Sequence, residues 1–233
     1  MTTYVLIPGA GGASSYWTLA VERLRALGDV AISPDLPADD PAAHLTDYAD
    51  AVVAASADGD GDGDAVVVAQ SLGAFCAPLV AQRIGAARID LVCPMIPTAG
   101  ETAGDWWMAS GMVAARRAAD VAAGRDPDRP FDEAEIFFHD VPDSALTGPP
   151  PREQSDTPMG DPFPLDAWPD IPTRVLAGRD DRLLPMGFVR RLADERLGVE
   201  ADVIASGHLP ALAAPDALVR WLRRTPRAQR RTR

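Results

Sequence analysis

An α/β architecture with a mostly parallel central sheet, helices on both faces and an inserted cap is predicted by three features of the sequence. Short apolar runs alternate with stretches of helical periodicity along most of the chain. One of those runs, Ala65-Val66-Val67-Val68-Ala69, is uninterrupted, as a strand buried on both faces would be. The alternation breaks between Pro97 and Pro172 and then resumes. At 233 residues the chain has the length of one α/β domain able to bury most of its apolar surface. The expected organisation is a single domain spanning 1–233, with a cap at about 98–170 and a disordered, arginine-rich tail at 225–233.

The elements follow in order. Tyr4-Val5-Leu6-Ile7 reads as a buried strand, closed by the glycine-rich loop Pro8-Gly9-Ala10-Gly11-Gly12. A helix then begins, with Ser14 and Ser15 as candidate caps, Trp17, Leu19, Leu24 and Leu27 at helical spacing, and Gly28 as its stop. Val30 to Ser33 is the next strand, and His44 to Ser56 the next helix. The run Asp58-Gly59-Asp60-Gly61-Asp62-Gly63-Asp64 presents alternating carboxylates, yet it lacks the closing glutamate and flanking helix pair of a calcium loop, so a flexible connection is expected. Further strands fit Ile89–Val92, Arg174–Ala177 and Ala201–Ala205, and further helices Ser71–Ile84, Met186–Leu197 and Ala213–Arg224. Inside the break stand Trp106, Trp107 and Met108, an alanine-rich helical piece, and a proline-dense stretch from Pro142 to Pro172.

Composition narrows the function classes. A formal charge of −12 repels nucleic acid and anionic membrane surfaces, so neither is expected as a partner. Every basic side chain is arginine; no lysine is available as base, electrophile or Schiff-base former, and the bias itself reads as a high-GC bacterial genome. Cys76 and Cys93 read as buried thiols, since neither a disulfide framework nor a zinc-ligand spacing is present. The N-terminus has no basic start with a long apolar core, and no run approaches the ~20 apolar residues of a membrane span. A cytoplasmic protein acting on a small molecule, without metal or cofactor, is expected.

The chemistry centres on Ala69-Gln70-Ser71-Leu72-Gly73, which leaves the buried strand and opens a helix. That is the setting of a nucleophile elbow, a turn so tight that the positions two before and two after the serine must be small, here Ala69 and Gly73. The same placement also suits a serine that merely caps a helix. A serine hydroxyl needs an imidazole to take its proton, and the chain has only three histidines. His44 opens a surface-type helix and His139 lies in the cap, whereas His208, in Ser206-Gly207-His208-Leu209-Pro210, follows the last strand, on the sheet edge where open α/β folds bind ligands. The acid that orients it must come from Gly178-Arg179-Asp180-Asp181-Arg182; consecutive side chains diverge, so either Asp180 or Asp181 reaches the imidazole. For a developing oxyanion, two backbone N–H groups are expected, from Leu72 and from the 8–12 loop at Ala10. That loop lacks the glycine spacing of a dinucleotide site and the lysine of a P-loop.

With these residues in place the chain resembles the α/β-hydrolase superfamily over nearly its whole length. The likeness rests on four blocks in order: 6–12, 69–73, 178–185 and Gly207-His208-Leu209-Pro210 with Pro215 beyond. The resemblance implies the α/β-hydrolase fold and the chain order serine, acid, histidine. It also selects Asp181, because the family's aspartate usually stands three residues after the glycine. Pro8 stands where many relatives have histidine, and Ala69 where glycine is commoner. The opening block followed by Tyr16-Trp17 is loosely similar to the group of plant methyl-ester esterases and hydroxynitrile lyases. Its best-known lyases carry a lysine after the histidine and a threonine in the oxyanion loop; Leu209 and Gly9 occupy those positions here, which favours ester hydrolysis.

Three readings follow. The first is a carboxylic-ester hydrolase acting on a small apolar ester through an acyl-enzyme. The second is a lyase or cyclase that uses His208 as general base, and the third a receptor that keeps the pocket without the chemistry. In the cap, Trp106, Trp107, Met108, Met112, Phe137 and Phe138 are candidates for a pocket lining or for cap core, and Gly9 and Leu209 are further candidates for the lining. His139 and Asp140, beside the two phenylalanines, are read as helix-end surface residues, with reach into the site as the alternative.

Overall fold

The computed structural model describes residues 1–57, 64–146 and 152–225. The expected connection at 58–63 and all but the first residue of the expected tail lie outside them. Among the described residues, six strands form one sheet: β1 (Thr3–Ile7), β2 (Val30–Ile32), β3 (Ala65–Gln70), β4 (Arg88–Val92), β5 (Thr173–Gly178) and β6 (Asp202–Ile204). Their order is β2-β1-β3-β4-β5-β6, and every neighbouring pair is parallel.

Parallel neighbours need crossover connections, and helices supply them. α1 (Thr18–Ala26), α2 (Leu45–Ala57) and α3 (Ala77–Ile84) link the first four strands. Between β4 and β5 come α4 (Ala103–Ala109), α5 (Met112–Ala122), α6 (Glu133–Phe137) and α7 (Thr157–Gly160). α8 (Met186–Leu197) joins β5 to β6, and α9 (Pro210–Ala213) and α10 (Pro215–Arg223) follow. None is long and apolar enough to cross a membrane.

Successive strand residues point to opposite faces, and both faces are apolar. Val5, Ile7, Val67, Ala69, Ile89, Leu91, Val175 and Ala177 pack with Tyr48 of α2, Val80 of α3 and Leu192 of α8. Tyr4, Leu6, Val66, Val68 and Leu176 pack on the other face with Leu24 of α1 and Leu218 and Leu222 of α10. This double burial explains why the β3 run is continuously apolar.

Three elements differ from the sequence expectation. α1 begins at Thr18 after a 3₁₀ turn, Ser14–Trp17, and neither serine caps it. The helix expected over 71–84 divides into a 3₁₀ segment, Ser71–Phe75, and α3. The helix expected over 213–224 forms as α10, and a four-residue helix that the expectation lacked, α9, precedes it. Pro78 sits in the first turn of α3 and Pro215 in that of α10, where a missing N–H leaves no bond unmade.

One polar cluster interrupts the core. Asp90 and Arg174 are register partners on β4 and β5, joined by two bonds of 2.7 and 2.6 Å, with the Asp90 side chain fully buried. Arg88 donates to the same carboxylate, and Arg174 also donates to the Trp221, Leu222 and Arg224 carbonyls at the end of α10 and lies over the Trp221 ring. Truncating one partner of a buried pair leaves the other charge uncompensated. Arg174→Leu is expected to lower unfolding free energy by about 3 kcal/mol, the low end of the range for such pairs because Arg88 remains. Chemical denaturation checks it; a loss below about 1 kcal/mol would mean that Arg88 alone suffices.

β1 has β2 on one side and β3 on the other, so the chain reverses its direction of travel across the sheet between them. The crevice outside the carboxyl ends of two such strands is where open α/β sheets take ligands. The chain between β4 and β5 reaches the loops on that edge. Gln154 accepts from Gly11 N–H after β1, the Glu135 carbonyl accepts from Arg182 after β5, and Asp140 accepts from Gly207 N–H after β6.

Candidate active site

Ser71 follows β3 with φ +50°, a left-handed backbone conformation that a non-glycine residue adopts at a cost of about 1–3 kcal/mol. Neighbours enforce it. Met95 N–H donates to the Ser71 carbonyl at 3.1 Å, and Gly73 packs so closely on the β1 loop that a Cβ there would stand 2.6 Å from the Pro8 carbonyl oxygen. The same crowding leaves Gly9 bare beside the serine, since a Cβ at Gly9 would lie 2.2 Å from Gln70 Oε1 and 3.1 Å from Ser71 Cβ. Ala69 and Gly73 thus meet the size limit for physical reasons: Ala69 has no exposed surface and Gly73 no room.

His208 and Asp181 meet below the surface. His208 Nδ1 is 2.8 Å from Asp181 Oδ2, with side-chain exposures of 2% and 0%. The other carboxylate oxygen, Oδ1, accepts from the Leu183 and Leu184 amides at 2.8 and 2.9 Å, which locks its plane. Such a partner holds the imidazole proton on Nδ1 and leaves the Nε2 lone pair free. Asp180 is exposed and paired with Arg179 instead. The backbone of His208 is tied to the elbow, because Gln70 Nε2 donates to its carbonyl at 3.3 Å. His44 is exposed and bonded to Asp161 Oδ1 at 2.8 Å, a contact that raises its pKa.

Of the two residues named as backbone donors, Leu72 is buried in the first turn of the 3₁₀ segment, where N–H groups lack an intrahelical partner, and Ala10 is exposed at the tip of the β1 loop. That loop is closed by Gly12 N–H donating to the Gly9 carbonyl at 3.1 Å.

Cys93, the expected buried thiol, comes with them. It follows β4, has φ +44°, and its Sγ lies with Asp181 and His208 ligand atoms within 4.8 Å of one another. Among the described residues that is the one grouping with three metal-ligating side chains. Burial, reinforced by the Asp181 charge, pushes the Cys93 thiol well above its ordinary range, which makes it a poor nucleophile.

The aromatic candidates separate. Trp106 is fully enclosed, donates to the Ile96 carbonyl at 2.9 Å and meets Phe188 edge-on, so it belongs to the core. Met108 is 76% exposed. Phe137 lies against the His208 ring, with centroids 5.5 Å apart, and Phe138 and Leu209 are half-buried nearby in sequence. Trp107, Met112, Phe131, Phe137 and Leu183 line an apolar groove of about 340 Å³, with Arg116 on its wall. Ser71 does not line it; Phe137 both lines the groove and meets the imidazole.

A doubly wound parallel sheet with a strained serine after its central strand and a buried aspartate–histidine pair after its last two strands defines the α/β-hydrolase class. The alpha/beta hydrolase family model matches residues 4–221, and the chain belongs to that family of enzymes. Comparison with curated protein sequences gives no match. Solved structures share the fold at low identity. A pyrethroid hydrolase from Sphingobium faniae superposes with TM-score 0.70 at 21% identity, covering 95% of this chain and 96% of its own. An extracellular α/β-hydrolase from a Paenibacillus species gives 0.71 at 18%, covering 95% and 98%. A methylesterase from Arabidopsis gives 0.72 at 16%, covering 95% and 97%.

Proposed function

We propose that the protein is a carboxylic-ester hydrolase that cleaves a small, largely apolar ester through an acyl-enzyme. The observation that carries this reading is the 2.8 Å contact of His208 Nδ1 with Asp181, on a loop bonded to the residue before Ser71. Ser71 Oγ attacks the ester carbonyl while His208 Nε2 takes its proton, and the Leu72 and Ala10 N–H groups receive the oxyanion. The tetrahedral intermediate collapses, breaking the bond to the alkoxy oxygen, which leaves as the alcohol with the proton from Nε2. A water then attacks the acyl-serine, again losing a proton to Nε2, and releases the acid and the free serine. Asp181 orients the imidazole and stabilises its transient positive charge. The 98–170 segment acts as the cap, with Phe137 contributing to the apolar surface over the histidine. The similar structures that carry esterase and pyrethroid hydrolase names agree with ester chemistry.

Quenched single-turnover reaction with a chromogenic short-chain ester, followed by intact-protein and peptide mass spectrometry, tests it. An acyl group on the peptide containing Ser71, formed and lost at rates consistent with turnover, is expected. Failure to acylate with any of a panel of esters, thioesters, lactones and amides would overturn the reading in favour of chemistry by His208 alone.

A further inference from the structure

The cap is joined to the catalytic-histidine loop by one carboxylate. Asp140, just after α6, accepts from Gly207 N–H at 2.5 Å and from Ser206 Oγ at 3.4 Å through the same oxygen, Oδ2. These are the two residues immediately before His208. The fit is close: a Cβ on Gly207 would stand 2.6 Å from Asp140 Oδ1 and 2.9 Å from His139 Cε1. Gly207 has a backbone conformation open to other residues, so the glycine is required by what lies on it. Both His139 ring nitrogens and Asp140 Oδ1 are buried and have no hydrogen-bond partner among the described residues. His139 Nε2 lies 3.9 Å from Asp140 Oδ1, so the two side chains face each other where they meet the loop. The same segment presses Phe137 on the His208 ring. The imidazole is therefore held from three directions: Asp181 at Nδ1, Phe137 on its face, and Asp140 through the peptide unit that precedes it.

We propose that Asp140 is a positioning residue for His208, holding the 206–208 loop so that Nε2 faces Ser71 when the cap is seated. It acts through Gly207 and touches no reacting atom. A charged acceptor on a backbone N–H is stronger than a neutral one, and a shift of about 1 Å at a catalytic group can cost about a hundredfold in rate. The hydrolytic consequence rests on the function proposed above; the effect on the imidazole does not.

Asp140→Ala and Asp140→Asn separate positioning from folding, because the asparagine oxygen still accepts from Gly207 N–H. For a chromogenic ester, Asp140→Ala is expected to lower kcat about ten- to a hundredfold with KM changed less than about threefold, and Asp140→Asn to recover most of the loss. Independently of substrate, ¹⁵N-histidine NMR reads the tautomer of each ring, and with three histidines in the chain the signals can be assigned by single substitution. Asp140→Ala should shift or broaden the His208 resonances and leave those of His44 in place. Unchanged His208 resonances in a folded Asp140→Ala protein would overturn the proposal, as would a kcat within twofold of wild type. Equal loss in the alanine and asparagine variants, tracking a fall in melting temperature, would overturn it too. If wild type fails to hydrolyse esters, the function proposed above falls, and the resonances alone decide the role of Asp140.

Discussion

Ser71→Ala and His208→Ala are each expected to lower kcat for a reactive short-chain ester by about 10⁴- to 10⁶-fold, and the double variant to lose no more than the worse single one. In the proposed mechanism the nucleophile and its base act as one unit: without the imidazole the hydroxyl keeps its proton, and without the hydroxyl the imidazole has nothing to deprotonate. What survives is the contribution of the backbone donors and of substrate binding. Steady-state kinetics on the three variants, with melting temperatures measured alongside, is the check. Losses that multiply would show the two groups acting separately, and a Ser71→Ala protein with wild-type turnover would remove the serine from the mechanism altogether.

Asp181→Asn is expected to cost about 10⁴-fold in kcat at neutral pH, and the neighbouring Asp180→Asn less than twofold. The hydrogen bonds decide the direction. Oδ1 of Asp181 accepts from two backbone amides, so an asparagine must keep its oxygen there and turn its NH₂ toward His208 Nδ1. The imidazole then accepts at Nδ1 and carries its proton on Nε2, aimed at the serine it should deprotonate. Asp180 makes its ion pair with Arg179 in solvent, so its neutralisation reaches nothing in the site. Kinetics with both variants distinguishes them; comparable losses would mean that the general field of the loop, rather than one oriented bond, supports catalysis.

Much of this was legible in the residues because it depends on local chemistry. The β3 run is apolar throughout since it is buried on both faces, and Met186–Leu197 forms the helix its spacing predicts. The elbow is legible because small residues at 69 and 73 are a steric demand. The break at Cys76 was not, since apolar periodicity runs through a break that a proline in a first turn creates without disturbing the pattern. Nor could sequence distinguish two adjacent aspartates by their own chemistry: what separates them is a pair of amides at 183 and 184 and the direction of one side chain. The contacts of Phe137 with His208 and of Asp140 with Gly207 join residues about seventy positions apart, and no periodicity records such a meeting. His139 and Asp140, read as surface residues, are instead packed onto the histidine loop.

The histidine follows β6, a three-residue edge strand paired only with β5, whereas the serine follows the fully flanked strand at the middle of the sheet. The two halves of the proposed proton-transfer pair therefore belong to regions of unequal local stability, and amide opening should be easiest at the rim. An excursion that frees β6 carries the base away while nucleophile, sheet interior and both apolar layers stay intact. Under mild denaturing stress the molecule would fall silent before it unfolds, its chemistry ending at the border of the sheet rather than at its centre.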